Sequence, residues 1–335
     1  MTASLMARLF VVPAILVSVL VVALMTVVIL FGWSGIGERV TAVKLIDRIA
    51  GATGDKNQGA LFPENKDVWL AAQELAERLK NRDREMKPDE IELAVQRLGA
   101  ICSELARQEN LTEAARRKSV FVMLALGRMG SGSGVAPLIA ALSAKDAQLR
   151  MAALRGLVEL RDLPETQSAM PAVITAMDDA SPEVRLMACA AAGQIAVRGD
   201  AGAVRALTDK LHEDRETRWN AALALARLGS LAAKDELQTM LDRGYWEQAR
   251  VVYEAESATT GDSTIAPSVA PTTRVERPFS ETQISTIMLA AIDAAVELGD
   301  AELMNDVARL RSDASPIVRD RAIKAVRRAQ DSADE

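Results

Sequence analysis

The heptad DASPEVR at Asp179–Arg185 returns as DASPIVR at Asp313–Arg319. Each copy reads as the start of a helix. Ser181 and Ser315 stand where a hydroxyl caps an N-terminus, and Pro182 and Pro316 occupy the first helical position, where a missing N–H costs least. Val184 and Val318 then open a buried face. Beyond each arginine, small or apolar residues fall three, four, six and seven positions on, the spacing of one helical face.

The same frame recurs with looser spelling. Arg150 opens RMAALRGLVEL, Arg185 opens RLMACAAAGQI, Arg218 opens RWNAALALARL and Arg319 opens RDRAIKAVRRA. FVMLALGRMG and MLAAIDAAVEL are copies without the arginine. Arg150, Arg185 and Arg218 are 35 and 33 residues apart. Each frame is followed by a second amphipathic run: VAPLIAAL, AMPAVITAM, AVRALTDKL, KDELQTML or AELMNDVARL. A period of thirty-odd residues holding two helices predicts a stacked solenoid.

An Asp, a Pro, Val-Arg and then Ala and Gly at helical spacing resembles the HEAT repeat family, in particular the short HEAT-like repeats of phycobilisome lyases. Asp179, Pro182, Val184, Arg185, Ala188 and Gly193 carry the pattern, and Asp313, Pro316, Val318, Arg319 and Ala322 carry it again. The resemblance covers about Thr112 to Arg327 and implies an all-α HEAT-like solenoid. It also implies that Arg150, Arg185, Arg218 and Arg319, with Asp179 and Asp313, form a structural ladder between repeats. Two-iron hydroxylases with this fold use several His–Glu pairs, which a chain whose single histidine is His212 does not supply.

Composition narrows the chemistry further. Hydrophobic residues make up 49% of the chain and aromatics only 3%, so the apolar mass is Ala, Leu, Val, Ile and Met, which suits close helix packing. A net charge of -6 with no dense Lys/Arg run argues against a nucleic-acid partner. Cys102 and Cys189 lie far apart inside helical patterns and read as small buried hydrophobes. GSGSG at Gly130–Gly134 joins two helices and reads as a turn, not a phosphate loop. Asn110-Leu111-Thr112 matches a glycosylation acceptor but reads as a helix boundary, with Asn110 or Thr112 as cap. No catalytic set, metal site or cofactor site is expected.

The N-terminus reads differently. Residues 9–31, LFVVPAILVSVLVVALMTVVILF, carry no charge and match the roughly 20 residues that span a bilayer. The run is too long for the hydrophobic part of a cleaved leader and lacks a small-x-small end. Arg8 and Trp33 flank it as membrane-interface residues. Counting Arg39, Lys44 and Arg48 against Arg8 and the amino terminus leans the rest of the chain, by a small margin, toward the cytoplasm. The expected organisation is a tail at 1–8, a transmembrane helix at 9–31, a stalk and linker at 32–65 and a degenerate helical pair at 66–111. Repeats follow at 112–253, then a disordered insertion at 254–280 and returning repeats at 281–330. Within the stalk, ERVTAVKLIDRIAG predicts a short amphipathic helix along the membrane or continuing the anchor.

GYWEQARVVYEAES predicts one more helix, and ATTGDSTIAPSVAPTTRVERPFS after it has too few large apolar residues to build a core. No β-sheet domain is expected. Tyr245, Trp246 and Tyr253 gather beside this insertion, either as a partner-binding patch or with Trp246 and Tyr253 packed into the solenoid core. Trp219 sits on an apolar helix face and reads as core.

These observations lead to a membrane-tethered scaffold that binds a protein partner through its solenoid surface and is not an enzyme. The alternatives are an enzyme or enzyme subunit, such as a lyase-like protein acting on a tetrapyrrole, and a nucleic-acid-binding repeat protein.

Overall fold

The computed structural model describes residues 40–51, 66–255 and 273–331. The expected membrane run 9–31, with Arg8 and Trp33, lies outside the described residues. Among those residues no helix is long and apolar enough to cross a membrane.

Chain order begins with helices α1 (Ala42–Gly51), α2 (Lys66–Lys80), α3 (Arg82–Glu85) and α4 (Pro88–Ala106). Alternating longer and shorter helices follow: α5 (Glu113–Arg128), α6 (Val135–Ala141), α7 (Ala147–Glu159), α8 (Met170–Ala176), α9 (Pro182–Ile195), α10 (Ala201–Asp209), α11 (Arg215–Arg227) and α12 (Lys234–Leu241). The short α13 (Arg243–Gln248) leads into strands β1 (Arg250–Ala255) and β2 (Thr273–Pro278), after which α14 (Glu281–Leu298), α15 (Ala301–Arg309) and α16 (Pro316–Asp331) resume the alternation.

The longer helices α5, α7, α9, α11, α14 and α16 touch in sequence and form one layer. The shorter helices pack beside them as the second. One core runs through both layers, built from Ala, Leu, Val, Ile and Met. Helices α5 and α7 approach closely: a Cβ added at Gly127 would lie 2.5 Å from the Gly156 carbonyl oxygen, so backbone meets backbone there. The Ala- and Gly-rich composition is what permits this spacing.

Helix starts follow a local rule. Asp146, Asp200, Asp214, Asp242 and Asp300 accept backbone N–H groups of the turns they precede, and Thr112, not Asn110, caps α5. The two heptads depart from the expected capping. Ser181 makes no side-chain cap, and its hydroxyl donates to Glu183 instead. Ser315 Oγ is engaged with Ser285 Oγ at 2.9 Å. Asp179 and Asp313 take over, each accepting the N–H two residues on at 2.8 Å, an Asx turn that sets the chain for the proline.

Two expectations are corrected. The short amphipathic helix expected within the stalk is present as α1, but its apolar stripe packs inside the protein and is not laid along a membrane. Ala42, Leu45, Ile46 and Ile49 of α1 are buried in the common core against α2 and α4. Polar contacts fasten both ends: Glu90 accepts the Ala42 N–H (2.7 Å), Arg78 donates to the Val40 carbonyl (2.5 Å), and the Lys118 ammonium donates to the Ala50 carbonyl (2.8 Å). Arg97 also pairs with Asp47 on its flank. The amphipathic stripe needed an apolar surface, and α2 and α4 supply one.

The second correction is the helix expected across GYWEQARVVYEAES. It stops at Gln248, and β1 runs antiparallel to β2 with Arg250 opposite Pro278 and Ala255 opposite Thr273. The expected disordered insertion therefore has ordered strand at both ends, while residues 256–272 lie outside the described residues. The β-branched and aromatic run Val251-Val252-Tyr253 favours extended backbone, and the backbone register sets Tyr253 opposite Val275 and Glu254 opposite Arg274.

Candidate interaction surface

The ladder residues come first because they fix the spacing of the surface. Arg150, on the first turn of α7, folds back to donate to the carbonyls of Ala144 and Lys145, both at 2.8 Å. Its other edge grips Asp179 of the next repeat through two bonds of 2.6 Å. This is the fork geometry that matches guanidinium to carboxylate. Burial alone would push the Asp179 carboxyl up. The Arg150 bonds, the Ser181 N–H and the charges of Arg150 and Arg185 outweigh it and hold the group below its ordinary value.

Arg185 repeats the fold-back onto Asp179 and Ala180, but its reach to Asp214 is looser at 3.8 Å and its Nε is buried without a partner. Arg218 turns instead to Glu236 of α12 at 3.3 Å. Arg319 donates to the Asp313 and Ala314 carbonyls and pairs with no carboxylate among the described residues. Asp313 belongs to Arg243, which forks onto it with two 2.6 Å bonds and also holds Glu281.

Sequence reasoning missed two rungs. In α5 and α14 a buried serine, Ser119 or Ser285, occupies the position that Arg150 holds in α7. An arginine from elsewhere compensates in each case. Arg116, one turn earlier, reaches Asp146 at 2.7 Å, and Arg243, from α13, reaches Asp313. The signal for Arg116 was its placement one turn before Ser119. Arg243 left none, because it arrives from outside the repeat.

The aromatic patch divides. Trp246 is 0% exposed, and its indole N–H donates to the Met240 carbonyl at 3.0 Å. It is core, which removes it from the partner-binding patch. Tyr245 is half-buried, edge-on to Trp246 at 4.9 Å. Tyr253 lies in β1. Trp219 and Phe279 complete a knot around Trp246 at 4.9 and 5.3 Å. The Arg215 guanidinium covers Trp219 and Phe279 at 5.4 and 4.9 Å and donates to the Arg250 carbonyl at the root of β1. Arg215 and Phe279 had no place in the sequence reading, since only the fold brings them to α13. The knot fastens the β-ribbon to the stack where the repeat is interrupted.

The remaining candidates are quiet. His212 is exposed in a turn between repeats. Burial pushes the Cys102 and Cys189 thiols up to about 12, so neither forms a thiolate readily at neutral pH. Gly130–Gly134 is a turn whose two serines donate to Glu92.

Against known proteins, the family described as HEAT repeats matches residues 170–255. No curated protein matches the chain. Among solved structures, the complex of CpcE and CpcF of phycocyanin lyase from Nostoc sp. is similar at 18% identity and a TM-score of 0.47, covering 89% of this chain and 95% of that one. An engineered protein is similar at 14% identity and a TM-score of 0.42, covering 86% of this chain and 68% of that one. A designed armadillo repeat protein in complex with the peptide (KR)4 is similar at 13% identity and a TM-score of 0.37, covering 85% and 99%. The chain is a mostly helical solenoid with a HEAT-repeat match over residues 170–255.

Proposed function

We propose that this protein is a membrane-tethered HEAT-repeat scaffold that binds a protein partner through its solenoid surface. One observation carries the reading. Where the described stack is interrupted after α12, an antiparallel β-ribbon is rooted by the Trp246 knot and by Arg215 on the Arg250 carbonyl. A two-stranded ribbon offers strand edges that can pair with an extended segment of a partner. The knot ties the root of that element to the stacked helices, which lowers the ordering cost of binding. The uncharged run 9–31 supports the tether, which would concentrate the surface at a membrane.

The test has two arms. Carbonate extraction of native membranes should leave the protein in the pellet, and a soluble mature protein lacking residues 1–31 would end the tether. Affinity capture from detergent-solubilised native membranes should recover a specific partner that is lost when residues 250–278, both strands included, are replaced by a Gly/Ser link. Retention of the partner by that variant would move the contact off the ribbon. The same preparation separates the alternatives, since a bound tetrapyrrole gives a visible absorption band and a nucleic-acid ligand gives a 260 nm excess.

A further inference from the structure

Among the described residues nothing packs on the outer face of α16, which repeats the surface that earlier long helices bury. In α5, α7, α9 and α11 the fourth residue after the ladder position is Met123, Leu154, Cys189 or Ala222, each 0% exposed. The seventh is Leu126, Leu157, Ala192 or Leu225, again 0% exposed. In α16 these positions hold Ile323, 45% exposed, and the half-buried Val326. Two positions before the ladder arginine the earlier helices place Gln148, Glu183 and Glu216, whereas α16 places Ile317, 56% exposed. Arg319 keeps its fold-back onto Asp313 and Ala314 but, among the described residues, lacks the carboxylate that Arg150 finds in Asp179.

Charge then says what fits. Of the cations between Pro316 and Asp331, Arg321 pairs with Asp293 of α14 and Lys324 with Asp320, whereas Arg319 meets backbone carbonyls and no carboxylate among the described residues. A second copy meeting this face with the same face would bring the same cation, whereas a carboxylate-bearing helix supplies the partner that Arg319 lacks. The eighth position after the ladder residue is Gly127, Val158, Gly193, Ala226 or Asp293 in the covered helices and Arg327 in α16. In α14, Asp293 at this position pairs with Arg321 of the helix packed on it, and Arg327 offers the reverse pairing to an acidic side chain across the interface.

We propose that the outer face of α16 docks an acidic helix of a partner protein. Its apolar stripe covers Ile317, Ile323 and Val326, and one of its carboxylates forks onto Arg319 as Asp179 does onto Arg150. This deepens the scaffold reading and rests on it, but places a contact away from the ribbon.

The experiment uses the full chain in native membranes with a photo-cross-linking amino acid at position 323, and separately at Glu276 in β2. The expected result at 323 is a single protein adduct whose mapped contact peptide is acidic and helix-forming. Arg319→Ala should reduce it about tenfold or more, the loss expected for one charge-paired contact. Ile323→Glu, a change at an exposed site, should leave the melting temperature unchanged while abolishing an adduct formed from position 317. No adduct at 323, an adduct to lipid, an adduct to a second copy, or insensitivity to both substitutions overturns the proposal. If adducts form only from Glu276, the scaffold reading stands and this one falls. If neither position yields one, both fall.

Discussion

At the residue scale, the repeat is held by arginines that face two ways, and their geometries rank them. Arg150 makes two short bonds to Asp179 with both side chains largely enclosed, at 15% and 11% exposure, while Arg185 approaches a half-exposed Asp214 at 3.8 Å. Arg150→Ala should therefore cost about 1–3 kcal/mol, because Asp179 is left with a buried, unmatched charge. Arg185→Ala should cost less, about 0.5–1.5 kcal/mol. Denaturant melts of the two variants check the order, and equal losses would mean that the fold-back onto loop carbonyls, common to both, carries the energy. Acid should find the same residues. The folded-state values of Asp146, Asp179 and Asp214 all lie below the ordinary 3.8. Their stabilisation is thus complete above that value and is lost as the pH falls through the depressed folded values. The melting temperature should be flat from neutrality to about pH 5 and fall below about pH 4. Asp179→Asn should flatten that fall, and an unchanged acid slope would show that this rung is not what acid breaks.

At the element scale, the ribbon is the feature that departs most from the repeat. Arg243 bridges the interruption by reaching Glu281 of α14 and Asp313 before α16, and α11 and α12 pack directly on α14 and α15, so the described flanks are already joined without the segment between the strands being needed. Replacing residues 256–272 with a short turn should shift the melting temperature by only a few degrees, since loop length enters stability logarithmically. Extending the deletion through Pro278 removes β2 and leaves β1 without its partner strand. That variant should lose the Arg215 contact with Arg250 and show faster amide exchange across Arg250–Ala255. Identical exchange in the two deletions would mean that β1 is held by the knot alone.

At the scale of the whole molecule, a solenoid is close to a sum over neighbouring contacts, so its ends are its weak points. Helix α1 closes one of them. A fragment beginning at Val40 and a fragment beginning at Lys66 should both be strongly helical, but the shorter one uncovers the surface that Ala42, Leu45, Ile46 and Ile49 occupy and strips Lys118 of the Ala50 carbonyl. It should melt at least several degrees lower, given roughly 1.5–3 kcal/mol for each large buried aliphatic side chain. Equal melting temperatures would mean that α1 is an appendage.

The sequence by itself determined the period, the helix starts and the two-layer stack. Those depend on spacing within about one helical turn and on residue types, Pro, Asp and Ala, whose backbone preferences are local. It also marked Arg150, Arg185, Arg218 and Arg319 by their recurrence. Only the tertiary structure decided which acid each arginine meets, because an ion pair between repeats depends on where a neighbouring turn lies: Arg218 finds Glu236, and Asp313 finds Arg243. It likewise decided that Trp246 is core, that α1 is docked, and that Val251–Tyr253 is strand. A tryptophan beside a loop, an amphipathic helix after a linker and a short β-branched run each have two stable fates. What chooses between them is the surface that arrives from elsewhere in the chain.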